Sequence, residues 1–82
     1  MVRWVKTGEE IDSWGETIED YELENGLKVA IRYSDIEEAC YYSVDENGYL
    51  NELETWTEEG LELYNICDKI LKEIKKNLKE RT

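Results

Sequence analysis

The clearest alternation of apolar and polar positions lies in the last third of the chain and predicts one long amphipathic helix. Apolar residues recur there at spacings of three and four and form a stripe at ~100° of rotation per residue: Leu63, Tyr64, Cys67, Ile70, Leu71, Ile74 and Leu78. Polar and charged residues occupy the opposite side: Glu62, Asn65, Lys69, Lys72, Lys76 and Lys79. Thr55 and Thr57 are equally good N-caps. We expect a helix over about residues 57–81 that buries its stripe against a second layer.

Alternation with a period of two predicts strands in the middle of the chain. Apolar residues stand at every second position of residues 27–33, and Tyr21 and Leu23 alternate with acids just before them. Asn25-Gly26 between the two segments is a hairpin signal. A three-residue loop, residues 24–26, sets Leu23 opposite Leu27, whereas a two-residue loop would mix the two faces of the sheet. We therefore predict the three-residue loop with glycine in the left-handed conformation.

The remaining strands are less regular. Residues 2–6 read as a short strand, and residues 39–44 and 49–56 form a second hairpin around Asp45-Glu46-Asn47-Gly48. The segment between Gly8 and Gly15 fits either a helical turn or an extended acidic loop. Together the patterns predict a single α+β domain over residues 1–82: an antiparallel meander of four to five strands with one long C-terminal amphipathic helix packed on one face. The strands are expected at about residues 2–6, 18–24, 27–34, 39–44 and 49–56.

The aromatic residues and cysteines refine this arrangement. The chain has three Trp, six Tyr and no Phe, so each aromatic ring carries a polar group. We expect Trp4 and Trp56 in the core and Trp14 exposed as an interface anchor. Cys40 and Cys67 are expected to be buried free thiols, with a disulfide between sheet and helix as the alternative. No apolar signal segment or membrane-spanning run is visible, which predicts a cytoplasmic protein.

The charge is strongly negative and unevenly distributed. The formal net charge is −11. Residues 1–68 hold four basic and nineteen acidic residues, a net −15, whereas residues 69–82 hold six basic and two acidic, a net +4. An acidic body repels nucleic acid, because binding there depends on Lys and Arg neutralising phosphates. It favours a basic protein surface as the partner. We expect no membrane as a partner.

No motif for catalysis or metal binding is present. The chain lacks histidine, a Gly-rich phosphate loop, a CxxC pair and a serine elbow. The segment that begins at Asp45 starts like a calcium loop, but its glycine is the fourth residue instead of the sixth, so we favour a hairpin turn. We therefore expect no enzyme activity, no catalytic residues, no metal and no cofactor.

Acidic residues are the candidate functional groups. The N-terminal acidic set has eight carboxylates and no Lys or Arg among them, and with Trp14 it forms the predicted partner-binding site: Glu9, Glu10, Asp12, Glu16, Glu19, Asp20, Glu22 and Glu24. The second acidic set is Asp45, Glu46, Glu52, Glu54, Glu58 and Glu59. In a strand, Asp20, Glu22 and Glu24 would point to one side ~6.6–6.8 Å apart, a scale similar to the phosphates of one DNA strand. The alternative is a solvated surface that keeps a small protein soluble.

In size, charge and α+β architecture the chain resembles the small acidic proteins that phages make to block host nucleic-acid machinery, the anti-CRISPR and anti-restriction DNA mimics. The resemblance implies an inhibitor that occupies the basic groove of a nucleic-acid-binding enzyme by presenting carboxylates in place of phosphates. Asp20, Glu22 and Glu24 would contact the groove, and Trp14 would anchor the complex.

A homo-oligomer is the alternative function. The basic second half of the helix complements the acidic body, so a homodimer could pair through the helix or through the aromatic strand face, with Tyr41 or Tyr49 in the interface. Direct nucleic-acid binding by the helix lysines is disfavoured by the net charge.

Overall fold

The computed structural model of the chain describes residues 3–34 and 38–80, and of residues 78–80 it describes the helical backbone. Within those ranges, five strands form one antiparallel sheet and a single long helix follows them. The elements are β1 (Trp4–Ile11), β2 (Thr17–Leu23), β3 (Lys28–Tyr33), β4 (Cys40–Val44), β5 (Leu50–Glu52) and α1 (Glu58–Glu80). The strands neighbour one another in chain order, and α1 packs against β3 and β4. The predicted α+β meander with a C-terminal helix is confirmed.

Three of the hairpins turn in the same way, around a glycine. Gly15, Gly26 and Gly48 have φ of 82°, 89° and 83°, a region that residues with side chains rarely adopt. In each turn the glycine N–H donates to the carbonyl three residues earlier, and the residue at that position donates to the carbonyl four residues later. This is a three-residue loop with glycine in the left-handed position. The loop predicted at residues 24–26 is confirmed, and its register places Tyr21 opposite Val29 and Glu22 opposite Lys28.

The segment that the sequence left open is part of β1 and its turn. β1 runs to Ile11 instead of ending at residue 6, with a bulge between Lys6 and Gly8. The chain then turns at Asp12, whose Oδ1 accepts hydrogen bonds from the Trp14 and Glu16 N–H groups at 2.9 Å. The prediction of a strand ending at residue 6 was therefore wrong, because the bulge interrupts the alternation on which it relied. Residue 2 lies outside the described residues.

The last strand is much shorter than predicted. β5 covers Leu50–Glu52 instead of residues 49–56, because the chain leaves the sheet at Leu53 to begin the helix. Thr57 is the N-cap: its Oγ1 accepts the Gly60 N–H at 3.0 Å and donates to the Glu54 carbonyl at 2.8 Å. Trp56, in this connection, is 82% exposed, so its predicted place in the core was wrong.

The core lies between α1 and one face of the sheet. The sheet contributes Tyr21, Leu23, Val29 and Ile31, and the helix contributes Leu63, Ile66, Cys67, Ile70, Leu71 and Ile74. Trp4 packs against this cluster, as predicted. The predicted stripe is confirmed with two changes: Ile66 is buried as well, and Tyr64 is 43% exposed. The predicted position of Leu78 on the stripe falls outside the described side chains, and residue 81 lies outside the described residues.

The two cysteines are free and differ in exposure. Cys67 is fully buried in the core, but Cys40 is exposed, so the prediction of two buried thiols was wrong for Cys40. Burial raises the pKa of the Cys67 thiol to about 12, which keeps it protonated and unreactive at neutral pH. No helix in the described part of the chain has an apolar run long enough to cross a bilayer.

Gly60→Ala is expected to destabilise the protein, although the same change inside a helix normally stabilises by ~1 kcal/mol. A Cβ on Gly60 would lie 2.0 Å from the Glu54 carbonyl oxygen. The connection before the helix must then shift, at a cost of roughly 1–3 kcal/mol in the free energy of unfolding. Urea unfolding followed by circular dichroism measures this.

The matched control is Asn65→Ala, at an exposed position of the same helix, where alanine gains helix propensity without a clash. If Gly60→Ala were as stable as this control, the close contact between the connection and α1 would be absent.

Candidate interaction surface

The alternation of β2 divides the N-terminal acidic set between the two faces of the sheet. Tyr21 and Leu23 face the helix. Glu19 is an alternate residue of the same strand, so it faces the helix as well and is buried, at 4% exposure. Asp20 and Glu22 point to the open face. Glu10 of β1 joins them there, because it pairs with Ile18 and paired residues share a face. Partial burial and the nearby Glu10 raise the pKa of the Asp20 carboxyl.

Glu19 lies in a buried polar cluster and takes no part in the surface, contrary to the prediction. Its carboxylate accepts hydrogen bonds from the hydroxyls of Tyr21, at 2.9 Å, and Tyr33. Lys6 Nζ lies 2.9 Å from Glu19 Oε1 and also contacts Glu9. The cluster forms part of the wall of a cleft of about 420 Å³ between the sheet and the second half of α1.

The cluster stabilises the ionised form of the buried Glu19 carboxylate. Burial alone would raise the pKa of Glu19, but the hydrogen bonds from Tyr33, Lys6 and Tyr21 outweigh it and lower the pKa. Burial, with the Glu19 charge beside it, raises the pKa of Tyr21. The hydrogen bond to Glu9 raises the pKa of Lys6, although its own partial burial opposes this. The arrangement is a satisfied ionic network that joins β1, β2 and β3.

Other members of the N-terminal acidic set are matched by basic groups or by the backbone. Arg32 Nε lies 3.0 Å from Glu16 Oε2, and Lys28 pairs with Glu22 across the β2–β3 ladder. Glu9 contacts Lys6, and Asp12 holds its turn. These contacts balance part of the negative charge of the set, while Glu10, Asp20 and Glu24 form no ion pair within the described residues.

Five of the nine residues of the predicted partner-binding site are exposed: Glu9, Glu10, Trp14, Glu22 and Glu24. Trp14 is 85% exposed at the tip of the β1–β2 turn, as expected. Glu24 lies in the β2–β3 turn, exposed, while Asp20 and Glu22 share the open face of the strand. The expected three-carboxylate ladder is thus reduced to two strand residues, with Glu24 displaced because the turn begins there.

The second acidic set lies on the β4–β5 turn, β5, the connection that follows it and the beginning of α1. All six carboxylates are exposed, and in the described part of the structure none of them forms an ion pair. The reason is visible in the sequence, where no Lys or Arg occurs between Arg32 and Lys69. Asp45 is partly used by its turn, and the Tyr49 N–H bond to its carboxylate lowers its pKa.

Large apolar side chains are exposed on the same segments. They are Tyr49 and Leu50 on the β4–β5 hairpin, Trp56 on the connection, and Leu61 and Tyr64 on the first turns of α1. Aromatic residues are enriched in the cores of protein–protein interfaces, and polar residues form the rims. Spacing along the chain does not show which acidic residues acquire basic neighbours, because Lys6 and Arg32 reach Glu19 and Glu16 only through strand pairing.

The described residues contain no group of three His, Cys, Asp or Glu side chains placed to hold a metal ion. Comparison with protein-family models, with curated protein sequences and with solved structures finds no match to this chain.

Glu19→Gln is expected to lower the free energy of unfolding at neutral pH by roughly 1–3 kcal/mol, because it removes the charged acceptor of three hydrogen bonds. It should also change the pH dependence. The folded-state pKa of Glu19 is lowered, so its contribution is present above the ordinary value of 4.5 and is lost as the pH falls through the folded-state pKa. Urea unfolding at neutral pH and at about pH 3 tests both effects.

Glu9→Gln is the matched control, since it removes a carboxylate that also contacts Lys6 but is about half exposed. Its cost should stay below ~1 kcal/mol. Equal losses for the two variants would show that the buried cluster contributes no more than a surface ion pair.

Proposed function

We propose that the protein is a non-enzymatic, acidic protein-interaction module that binds a basic surface of another protein through its second acidic set. The observation that carries the proposal is the cluster of six exposed carboxylates, none of which forms an ion pair in the described structure. Carboxylates of one sign repel one another and therefore lower stability. A basic partner relieves that repulsion on binding.

Basic grooves of nucleic-acid-binding enzymes are the partner class that we propose. Such grooves are built to neutralise phosphates, so a rigid surface that presents carboxylates competes for the same Lys and Arg side chains. The N-terminal acidic set, with its ion pairs to Arg32 and Lys6, is a secondary surface in this proposal, to which exposed Trp14 contributes an anchor. Attraction between opposite charges would speed the encounter and make it depend on salt.

A homo-oligomer is the second candidate. Its support is the separation of charge along α1, which begins with Glu58 and Glu59 and later exposes Lys69, Lys72 and Lys76. Two copies would pair the acidic end of one with the basic helix half of the other.

A quadruple variant, Glu52→Gln, Glu54→Gln, Glu58→Gln and Glu59→Gln, tests the proposal. The control variant changes the same charge in the N-terminal set: Glu9→Gln, Glu10→Gln, Glu22→Gln and Glu24→Gln. Binding of a fluorescein-labelled nona-arginine peptide is measured by anisotropy at low and moderate salt. We expect the first variant to weaken binding by about tenfold or more, the control by about threefold or less, and the wild type to lose affinity with salt.

Equal weakening by both variants would mean that net charge alone drives binding and would overturn the placement of the surface. Affinity that does not change with salt would contradict a charge-driven interface. Sedimentation of the wild type and both variants separates the oligomer, since a dimer through the acidic end would dissociate in the first variant and persist in the control.

A further inference from the structure

We infer that the groove along the outer edge of β4 receives an apolar side chain of the basic partner, so that the partner segment carries an aliphatic or aromatic residue flanked by Arg or Lys. This inference rests on the proposed function and names what that function would recognise. The groove has a volume of about 280 Å³, and its lining includes Cys40, Tyr41, Glu52, Leu53 and Tyr64.

The groove exists because β5 is too short to cover β4. β5 pairs with Tyr42, Ser43 and Val44, and in the described structure no strand pairs with the outer edge of β4 at Cys40 and Tyr41. The chain leaves the sheet at Leu53 and crosses to α1. The side of β4 nearest the helix is therefore left open between the strand and Tyr64 of α1.

The walls of the groove are held in place before any partner arrives. The rings of Tyr41 and Tyr64 meet edge to face, with centroids 5.0 Å apart. The Tyr41 hydroxyl donates a hydrogen bond to Asp68 Oδ1 at 3.1 Å, which ties the strand residue to the helix. Leu53 packs partly against the core. A preformed aromatic pocket loses little side-chain entropy on binding, which is the property of an interface anchor site.

The charge around the groove determines which partner fits. Glu52 lines the groove itself, Glu54 lies on the segment that leads from it to the helix, and Glu58 is the first residue of the helix. Residues 38–68 contain nine carboxylates and no Lys or Arg. Trp56 and Leu61, both exposed, extend the apolar surface beside it. An apolar anchor alone would meet a strongly negative rim, so its neighbours in the partner must be positive.

Two synthetic peptides of equal length and charge test the inference. The first alternates lysine with leucine, and the second replaces every leucine with glutamine. We expect the wild type to bind the first peptide about tenfold more tightly than the second. Tyr64→Ala should reduce the affinity for the first peptide to that for the second. Ile11→Ala, at an exposed apolar position of β1 that is not in the groove lining, is the matched control and should retain most of the preference.

Cys40 reports on the rim of the groove, because it is an exposed residue of the lining while Cys67 is buried and unreactive. In the wild type, the first peptide should slow the reaction of Cys40 with Ellman's reagent about tenfold at saturation, and the second should slow it little. This measurement needs no mutation and therefore does not depend on the folding of a variant.

The outcomes separate the two proposals. If both peptides bind equally and neither protects Cys40, the groove has no anchor role, while the acidic surface stands. If the first peptide binds more tightly but leaves Cys40 unprotected, its leucines contact another surface and the inference is overturned. If neither peptide binds, the proposed function fails as well.

Discussion

The packing of α1 on one face of the sheet is the interaction on which the rest of the structure depends. Within the described residues the sheet has no second covering layer, so the helix stripe and the facing residues of β2 and β3 make up nearly the whole core. A domain of this size buries only about 60–65% of its unfolded surface, so there is no second core to hold the sheet. This packing fixes which face of β2 is buried, and thereby places Glu19 inside and Asp20 outside.

The two edge strands of the sheet, β1 and β5, each have features that hinder pairing with another chain. An eight-residue edge strand is a site for unwanted pairing with another chain, yet β1 carries a bulge between Lys6 and Gly8, and Lys6 points toward the helix side. Both features are known to block edge-to-edge association. The other edge strand, β5, has only three residues and therefore offers few backbone groups for pairing with another chain. The short β5 also exposes the side of β4, so the device that protects the edge creates the groove.

Periodicity in the sequence was enough to predict the helix, the β2–β3 hairpin and its register, because each is determined by local spacing and a glycine turn. The third turn of the same kind was missed, although Asp12 and Gly15 have the spacing of Asp45 and Gly48. The burial of Glu19 could have been predicted, because Glu19 and Tyr21 are alternate residues of one strand and therefore lie on the same face. However, its stabilisation depends on Lys6 and Tyr33, which are distant in the chain and meet it only through the sheet register. Likewise, the ion pair between Arg32 and Glu16 of the N-terminal acidic set depends on the pairing of β2 with β3, which composition does not reveal.

Lys6 and Arg32 balance part of the negative charge on the β1–β2 side, whereas the carboxylates of the second acidic set form no ion pair within the described residues. Chemical-shift mapping of the ¹⁵N-labelled protein during titration with the lysine–leucine peptide shows which of these two surfaces a basic partner contacts. We expect the largest amide chemical-shift changes within residues 45–64 and only small changes within residues 9–24. The largest shifts on β1 and β2, around Trp14 and Asp20, would contradict this expectation.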